Sequence, residues 1–263
     1  MIDFTDKKLF LLDMDGTIYL GDTLFEGTKD FLARIRERGG KYLFVTNNSS
    51  RSVNAYVNRL KGMGIEDTTA DDFLTSVDAL IWYLKGKYDD ALIYAFGTKT
   101  FREQLSEAGF RITDKLEEGI SLLVCGFDTE LTFQKLEDAC ILLGKDVDFL
   151  ATNPDWVCPT SYGSVPDCGS VCEMLFRATG RRPKFIGKPE PEMALLAMEK
   201  YGFTKEQTVL VGDRVYTDIA CGVNAGVSTA FVLSGEGVPE DTVKFGVEPT
   251  GTYDSIRDIL ALL

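Results

Sequence analysis

The sequence predicts an α/β protein whose core is an open, doubly wound parallel sheet interrupted by an inserted second domain. Short apolar runs alternate with amphipathic helical segments from end to end, which is the pattern of βα units rather than of an all-β or all-α chain. Polar residues that follow apolar strands fall in 13–48 and 188–218, leaving about 140 residues between them. Such a gap is longer than one crossover helix and strand require, so it predicts an insertion near residues 85–182 within a core of 1–84 and 183–263.

The expected strands are, in order, Leu9 to Leu12, Tyr42 to Val45, Leu92 to Phe96, Leu122 to Cys125, Lys184 to Ile186, Val209 to Val211 and Thr229 to Leu233. Each is a short apolar run, long enough for a buried strand and too short for a helix. Between them, Leu136, Ala139, Cys140 and Leu143 repeat at helical spacing, as do Met193, Leu196, Ala197 and Tyr201, each set forming one apolar stripe on a helix face. Trp156 reads as filler in a core or domain contact. No linker rich in Gly and Ser, fixed-period repeat or low-complexity tract marks a boundary.

Composition narrows the chemistry. The 263 residues include 28 Lys plus Arg, 41 Asp plus Glu and no histidine, for a formal net charge of −13. Without imidazole there can be no Ser-His-Asp triad, Cys-His pair or His-ligated zinc, and acid–base work falls to other side chains. The acidic balance argues against nonspecific grip on nucleic acid or an anionic membrane, so an anionic substrate needs a local positive site. No apolar run approaches the roughly 18 residues of a membrane span, and the start of the chain does not resemble a signal peptide. A cytoplasmic location is expected. Cys125, Cys140, Cys158, Cys168, Cys172 and Cys221 are scattered without a C-x-x-C pair, and they read as buried thiols rather than as a metal or disulfide framework.

Four expected strands end alike: Leu-Phe-Leu-Leu before Asp13, Leu-Phe-Val before Thr46, Phe-Ile-Gly before Lys188 and Val-Leu-Val-Gly before Asp213. One strand stopping at a polar residue means only that it has reached water. Four, bearing two carboxylates, a hydroxyl and an amine, fit the rule that open α/β sheets bind ligands beyond the carboxyl ends of their strands. Asp13 and Asp15 in Asp13-Met14-Asp15-Gly16-Thr17 are two apart, so an extended chain sends both carboxylates to one side, where they repel unless a cation intervenes. Asp213 and Asp218 add two more acids. An oxygen-ligated hard cation suits such a set, and Mg²⁺ is the first choice because it takes one or two carboxylates together with waters and phosphate oxygens. Asp218, one turn into the next helix, is expected behind the ligands rather than among them. Thr46-Asn47-Asn48-Ser49-Ser50 opens a helical segment, where a hydroxyl and unpaired amides can seat an anion or simply cap the helix. Lys188, beside these acids, can hold them together and bind a phosphoryl oxygen.

These four segments, in this order, resemble the motifs of the haloacid dehalogenase superfamily of aspartyl phosphohydrolases. Asn47 and Asn48, Gly187-Lys188-Pro189-Glu190-Pro191 and Thr152-Asn153-Pro154-Asp155 resemble its type IIA, p-nitrophenyl phosphatase-like branch. The resemblance spans essentially the whole chain. It implies a Rossmann-like core with an inserted α/β cap, and a Mg²⁺-dependent phosphomonoesterase acting on a small phosphorylated metabolite. It further implies that Asp13 is the nucleophile that forms an aspartyl phosphate and Asp15 the general acid and base. The metal would be held by the carboxylates of Asp13 and Asp213 and the backbone carbonyl of Asp15, and the phosphoryl group by Thr46, Asn47, Asn48 and Lys188. Asn153 and Asp155 would either face the substrate from the cap or build a turn there, and a homodimer through the cap fits the same resemblance. A phospho-acceptor signalling module, which gathers Asp, Thr and Lys around Mg²⁺ without turnover, is the alternative, although 263 residues with an insertion exceed what it needs. A dinucleotide-binding or P-loop domain is excluded by the absence of G-x-G-x-x-G after the first strand and of G-x-x-x-x-G-K-[ST] anywhere.

Overall fold

A computed structural model describes residues 2–160 and 162–263. They form two compact units, one containing the chain through Thr46, Val53–Leu74 and Lys188–Leu263, the other Asn47–Ser52 and Thr75–Gly187.

The first unit carries a six-stranded sheet in the order Gly251–Tyr253, Ser228–Val232, Thr208–Gly212, Leu9–Leu12, Lys41–Thr46, Phe73–Thr75. Chain order reverses at Leu9–Leu12: successive strands run outward on one side through Lys41–Thr46, and the chain then resumes on the other side with Thr208–Gly212. Leu9, Phe10, Leu11 and Leu12 are all buried, which is why this strand reads as an unbroken apolar run rather than an alternating one. One face packs Phe10 and Phe44 against Phe31 of the helix Thr28–Glu37 and against Tyr42, Tyr56 and Phe73. The helix Glu192–Tyr201 buries Met193, Ala194, Ala197 and Met198, so its apolar stripe is turned from the one the spacing suggests and leaves Leu196 and Tyr201 at its margin.

The second unit has its own parallel sheet, ordered Lys184–Phe185, Asp148–Ala151, Ile120–Cys125, Leu92–Phe96, Arg111–Thr113, and an antiparallel hairpin of Val157–Thr160 with Gly163–Pro166. Tyr94, Phe96, Leu123, Phe149 and Leu175 fill one core, with helices Phe133–Leu143 and Cys168–Thr179 over it. Two expectations are corrected here. The sequence places a Lys184 to Ile186 strand in the core, but Lys184–Phe185 pairs with Asp148–Ala151 of the second unit, and Ile186 and Gly187 continue that ladder to Ala151 and Thr152. Trp156 is 60% exposed rather than packed as filler.

Asp167 caps the helix Cys168–Thr179, its carboxylate accepting from the Cys168 amide at 2.5 Å and from Asn153 Nδ2 at 3.1 Å. Burial nevertheless pushes this carboxyl up to about 7, against the pull of those two donors. A folded-state value above the unfolded one means the folded chain holds the proton more tightly. Stability from this group therefore falls as pH rises from near 4 to near 7, and the full penalty persists above that. Asn caps helices as well as Asp and keeps an acceptor in the same place. Asp167→Asn is accordingly expected to raise the thermal midpoint by several degrees at pH 8, a gain that shrinks as the pH is lowered toward 4; an equal shift at both ends would contradict the assignment.

Candidate active site

In the first unit the register places three polar residues at the carboxyl ends of adjacent strands. Leu9–Leu12 pairs with Thr208–Val211 on one side and Lys41–Phe44 on the other, so Asp13, Asp213 and Thr46 all lie at or just beyond the same sheet edge. The Asp13 amide still donates to Val211 O at 2.9 Å, which fixes the start of the side chain before the chain turns away. This edge is also where the strand order reverses, the position at which open parallel sheets bind ligands.

Lys188 enters this cluster from a segment outside the sheet. Its Nζ lies 2.6 Å from Asp13 Oδ1, 2.7 Å from Asp218 Oδ1 and 3.1 Å from the Val45 carbonyl, with the residue only 3% exposed. Burial alone would lower the amine's pKa, but Asp13 and Asp218 outweigh it and hold the ammonium charged. Asp13 is pushed up to about 8, first by burial and then by the Asp218 and Asp213 carboxylates, with Lys188 opposing. Asp213 is raised to about 6 by burial and Asp218, against the Glu236 amide and Arg214.

Asp213 sits in a cradle that no side chain can enter. Gly16 adopts φ +85°, and a Cβ there would run into the Asp213 carboxylate; a Cβ on Gly235 would do the same. The Glu236 amide donates to Asp213 Oδ2 at 2.7 Å, and Ser234 Oγ donates to Gly16 O at 2.7 Å, tying the loop after Ser228–Val232 to the turn after Asp13. Arg214 pairs with Glu236 at 3.0 Å. The sequence signal for this loop is Ser234-Gly235-Glu236-Gly237 after an apolar strand, one more polar strand end beside the four named above.

The donor set suits a divalent cation. Carboxylate oxygens of Asp13, Asp213 and Asp218 all lie within 4.8 Å of one another. Asp213 Oδ1 is buried and accepts no hydrogen bond among the described residues, an arrangement that is costly for a carboxylate oxygen unless something positive comes to it. Three carboxylates face one ammonium, so when all are ionised two negative charges remain uncompensated. The carboxylates crowding Asp13 are thus Asp213 and Asp218, whereas Asp15, expected beside it, is exposed and stands outside that cluster. Asp218 has its Oδ1 on Lys188 and its Oδ2 accepting from the Arg214 amide at 3.1 Å.

Asn47, Asn48, Asn153 and Asp155 belong to the second unit. Asn47 Nδ2 donates to Asp155 Oδ2 at 2.7 Å, and Asn153 Nδ2 donates to the same oxygen at 2.8 Å as well as to Asp167. Asn48 Oδ1 accepts from the Ser50 amide and hydroxyl, both at 2.9 Å, closing a local turn. Ser49 Oγ accepts from the Phe127 amide at 2.8 Å and meets Thr152 Oγ1 at 3.1 Å. The segment after Thr46 is therefore fastened along its length to the loop after Asp148–Ala151, a role for Asn153 and Asp155 that sequence spacing alone does not disclose.

Comparison with known proteins agrees with this architecture. The haloacid dehalogenase-like hydrolase model matches residues 10–111 and a second HAD-hydrolase-like model matches 185–259. An acid sugar phosphatase of Staphylococcus aureus (strain USA300) is 33% identical over 256 residues, 97% of this chain and 98% of that protein. The crystal structure of a 4-nitrophenylphosphatase from Thermotoga maritima superposes with a TM-score of 0.91 at 35% identity, covering 99% of each chain. A glycerol phosphate phosphatase from Mycobacterium tuberculosis, solved in complex with magnesium, gives 0.90 at 28% identity over 98% of this chain and 78% of that one. The fold and these matches define a member of the haloacid dehalogenase-like hydrolases, with a Rossmann-like α/β core and an inserted α/β cap. Within that family the chain belongs to the type IIA, p-nitrophenyl phosphatase-like branch. No helix among the described residues is long and apolar enough to cross a membrane.

Proposed function

We propose that this chain, a phosphoric monoester hydrolase of the haloacid dehalogenase type, hydrolyses a small phosphorylated metabolite with Mg²⁺ through an aspartyl-phosphate intermediate. The observation that carries the reading is the cluster of Asp13, Asp213 and Asp218 around Lys188, three carboxyl groups to one ammonium. The names of the relatives favour a sugar phosphate as substrate, with nitrophenyl phosphate as a surrogate.

In this reading an Asp13 carboxylate oxygen bonds to phosphorus while the ester P–O bond breaks, and Asp15 delivers a proton to the departing oxygen. Asp15 then takes a proton from a water that attacks phosphorus, and the bond to Asp13 breaks to release phosphate. Lys188 neutralises phosphoryl oxygens, held in place by Asp218, and Thr46 donates to them. Asn47 and Asn48, next in the chain, belong to the same phosphoryl-binding segment. The carboxylates of Asp13 and Asp213 and the carbonyl of Asp15 are the residues that would hold Mg²⁺. When bound, it supplies the charge that offsets the carboxylates and stabilises negative charge building on the phosphoryl oxygens. We assign the second unit, whose Thr75–Gly187 contains the segment 85–182 expected from the sequence, to the cap and the first unit to the core, with Asn153 and Asp155 as residues that set leaving-group preference.

The test is steady-state turnover over a panel of sugar phosphates, glycerol phosphate, nucleoside monophosphates and p-nitrophenyl phosphate. Multiple turnover is expected with Mg²⁺, abolished by EDTA and restored by added Mg²⁺. A stoichiometric burst without turnover, or rates unchanged in metal-free buffer, would contradict the reading.

A further inference from the structure

Three of the six cysteines, one of them more than forty residues from the other two, converge in the core of the second unit. Cys125 ends the strand Ile120–Cys125, while Cys168 and Cys172 occupy the first and second turns of the helix Cys168–Thr179, four residues apart on one face. Their sulfurs all lie within 4.8 Å of one another, with Cys168 Sγ 3.9 Å from Cys172 Sγ, and the three residues are 0%, 0% and 2% exposed. All are free thiols. A lone buried cysteine is a small apolar residue and needs no further role. Three sulfurs gathered within 4.8 Å of one another are a different matter, because packing alone favours methyl groups there as readily as thiols.

The spacing matches a metal of known bond length. Three sulfurs placed symmetrically in a plane at about 2.3 Å from a central ion lie about 4.0 Å apart. The observed separation of 3.9 Å for one pair, and 4.8 Å as the outer limit for all, requires only a small contraction. We infer that Cys125, Cys168 and Cys172 form a three-sulfur site for a soft monovalent cation, Cu(I). Softness selects copper, since thiolates prefer Cu(I) and zinc to hard cations. Coordination number decides between those two: structural zinc takes four ligands, and no fourth His, Cys, Asp or Glu joins this cluster among the described residues.

One of the three sulfurs is placed where negative charge is favoured. Cys168 stands at the N-terminus of a twelve-residue helix, where the dipole favours negative charge. On binding, each ligating thiol passes its proton to solvent; no electron is exchanged, and copper stays Cu(I).

The experiment uses the full chain, reduced and anaerobic, incubated with Cu(I) buffered by glutathione and then challenged with a Cu(I)-selective chelator. About one copper per chain is expected to survive the challenge, with X-ray absorption showing three sulfur neighbours and the thermal midpoint raised. Cys172→Ala is expected to retain copper at least about tenfold less well, while a Cys140→Ser, Cys158→Ser double variant binds as the parent does. Circular dichroism and phosphatase turnover establish that each variant is folded. Should Cys172→Ala not fold, X-ray absorption on the unaltered chain decides alone. Complete loss of copper to the chelator, fewer than three sulfur neighbours, or loss of binding in the double variant would each overturn the site.

Discussion

Asp13→Asn is expected to reduce kcat for p-nitrophenyl phosphate by at least about 10⁴-fold, because the amide oxygen is not a nucleophile that can form and release a phosphoryl bond. The fold should not suffer. Asn has the shape of Asp and keeps an oxygen for Lys188, now 2.6 Å from Asp13 Oδ1. Removing one of three crowded carboxylates also relieves the repulsion from Asp213 and Asp218 that helps push Asp13 to about 8. The thermal midpoint of the metal-free variant should therefore equal or exceed that of the parent. Steady-state kinetics and thermal unfolding check both halves, and a variant that is inactive because it is unfolded would not support the argument.

The second large effect is expected for Lys188→Met. The side chain is of similar length, so packing survives, but the ammonium that lies against Asp13 and Asp218 is lost. Breaking a buried ion pair from one side typically costs about 3–5 kcal/mol, because the remaining charge is left without a partner. Here two carboxylates lose that partner at once. Stability should drop by an amount in that range, and kcat/KM should fall by at least about 10²-fold as the phosphoryl group loses its fixed cation. Added Mg²⁺ should return part of the lost stability, since it offsets the same carboxylates, whereas NaCl at equal ionic strength should not. Denaturant unfolding with and without Mg²⁺ measures the difference. A variant as stable as the parent in metal-free buffer would contradict the role given to Lys188.

Much of this site is legible in the sequence because its residues follow unbroken apolar runs. Leu9–Leu12 before Asp13 and Thr208–Gly212 leading to Asp213 are buried on both faces, so the first polar residue after each marks the sheet edge. Lys188 was legible as a residue but not in its placement. The two-residue strand before it carries no signal of which sheet it joins, and it joins that of the second unit. The edge strands Phe73–Thr75 and Gly251–Tyr253 are three residues each, too short for a period to show. Asp218 reaches Lys188 from a wide helical turn, Val215–Ile219, whose geometry five residues of spacing do not specify. The Gly235–Glu236 cradle and the cysteine trio depend on contacts between residues more than twenty positions apart, which only the fold brings together.

The central claim is that Asp13 carries the phosphoryl group in the course of the reaction. It is tested most directly by quenching the enzyme during steady-state turnover with borohydride, which reduces an acyl phosphate to an alcohol, and locating the modified residue by peptide mass spectrometry. The account predicts conversion of Asp13 to homoserine, dependent on both substrate and Mg²⁺. Turnover at full rate with Asp13 unmodified, or with the label on another residue, would contradict it.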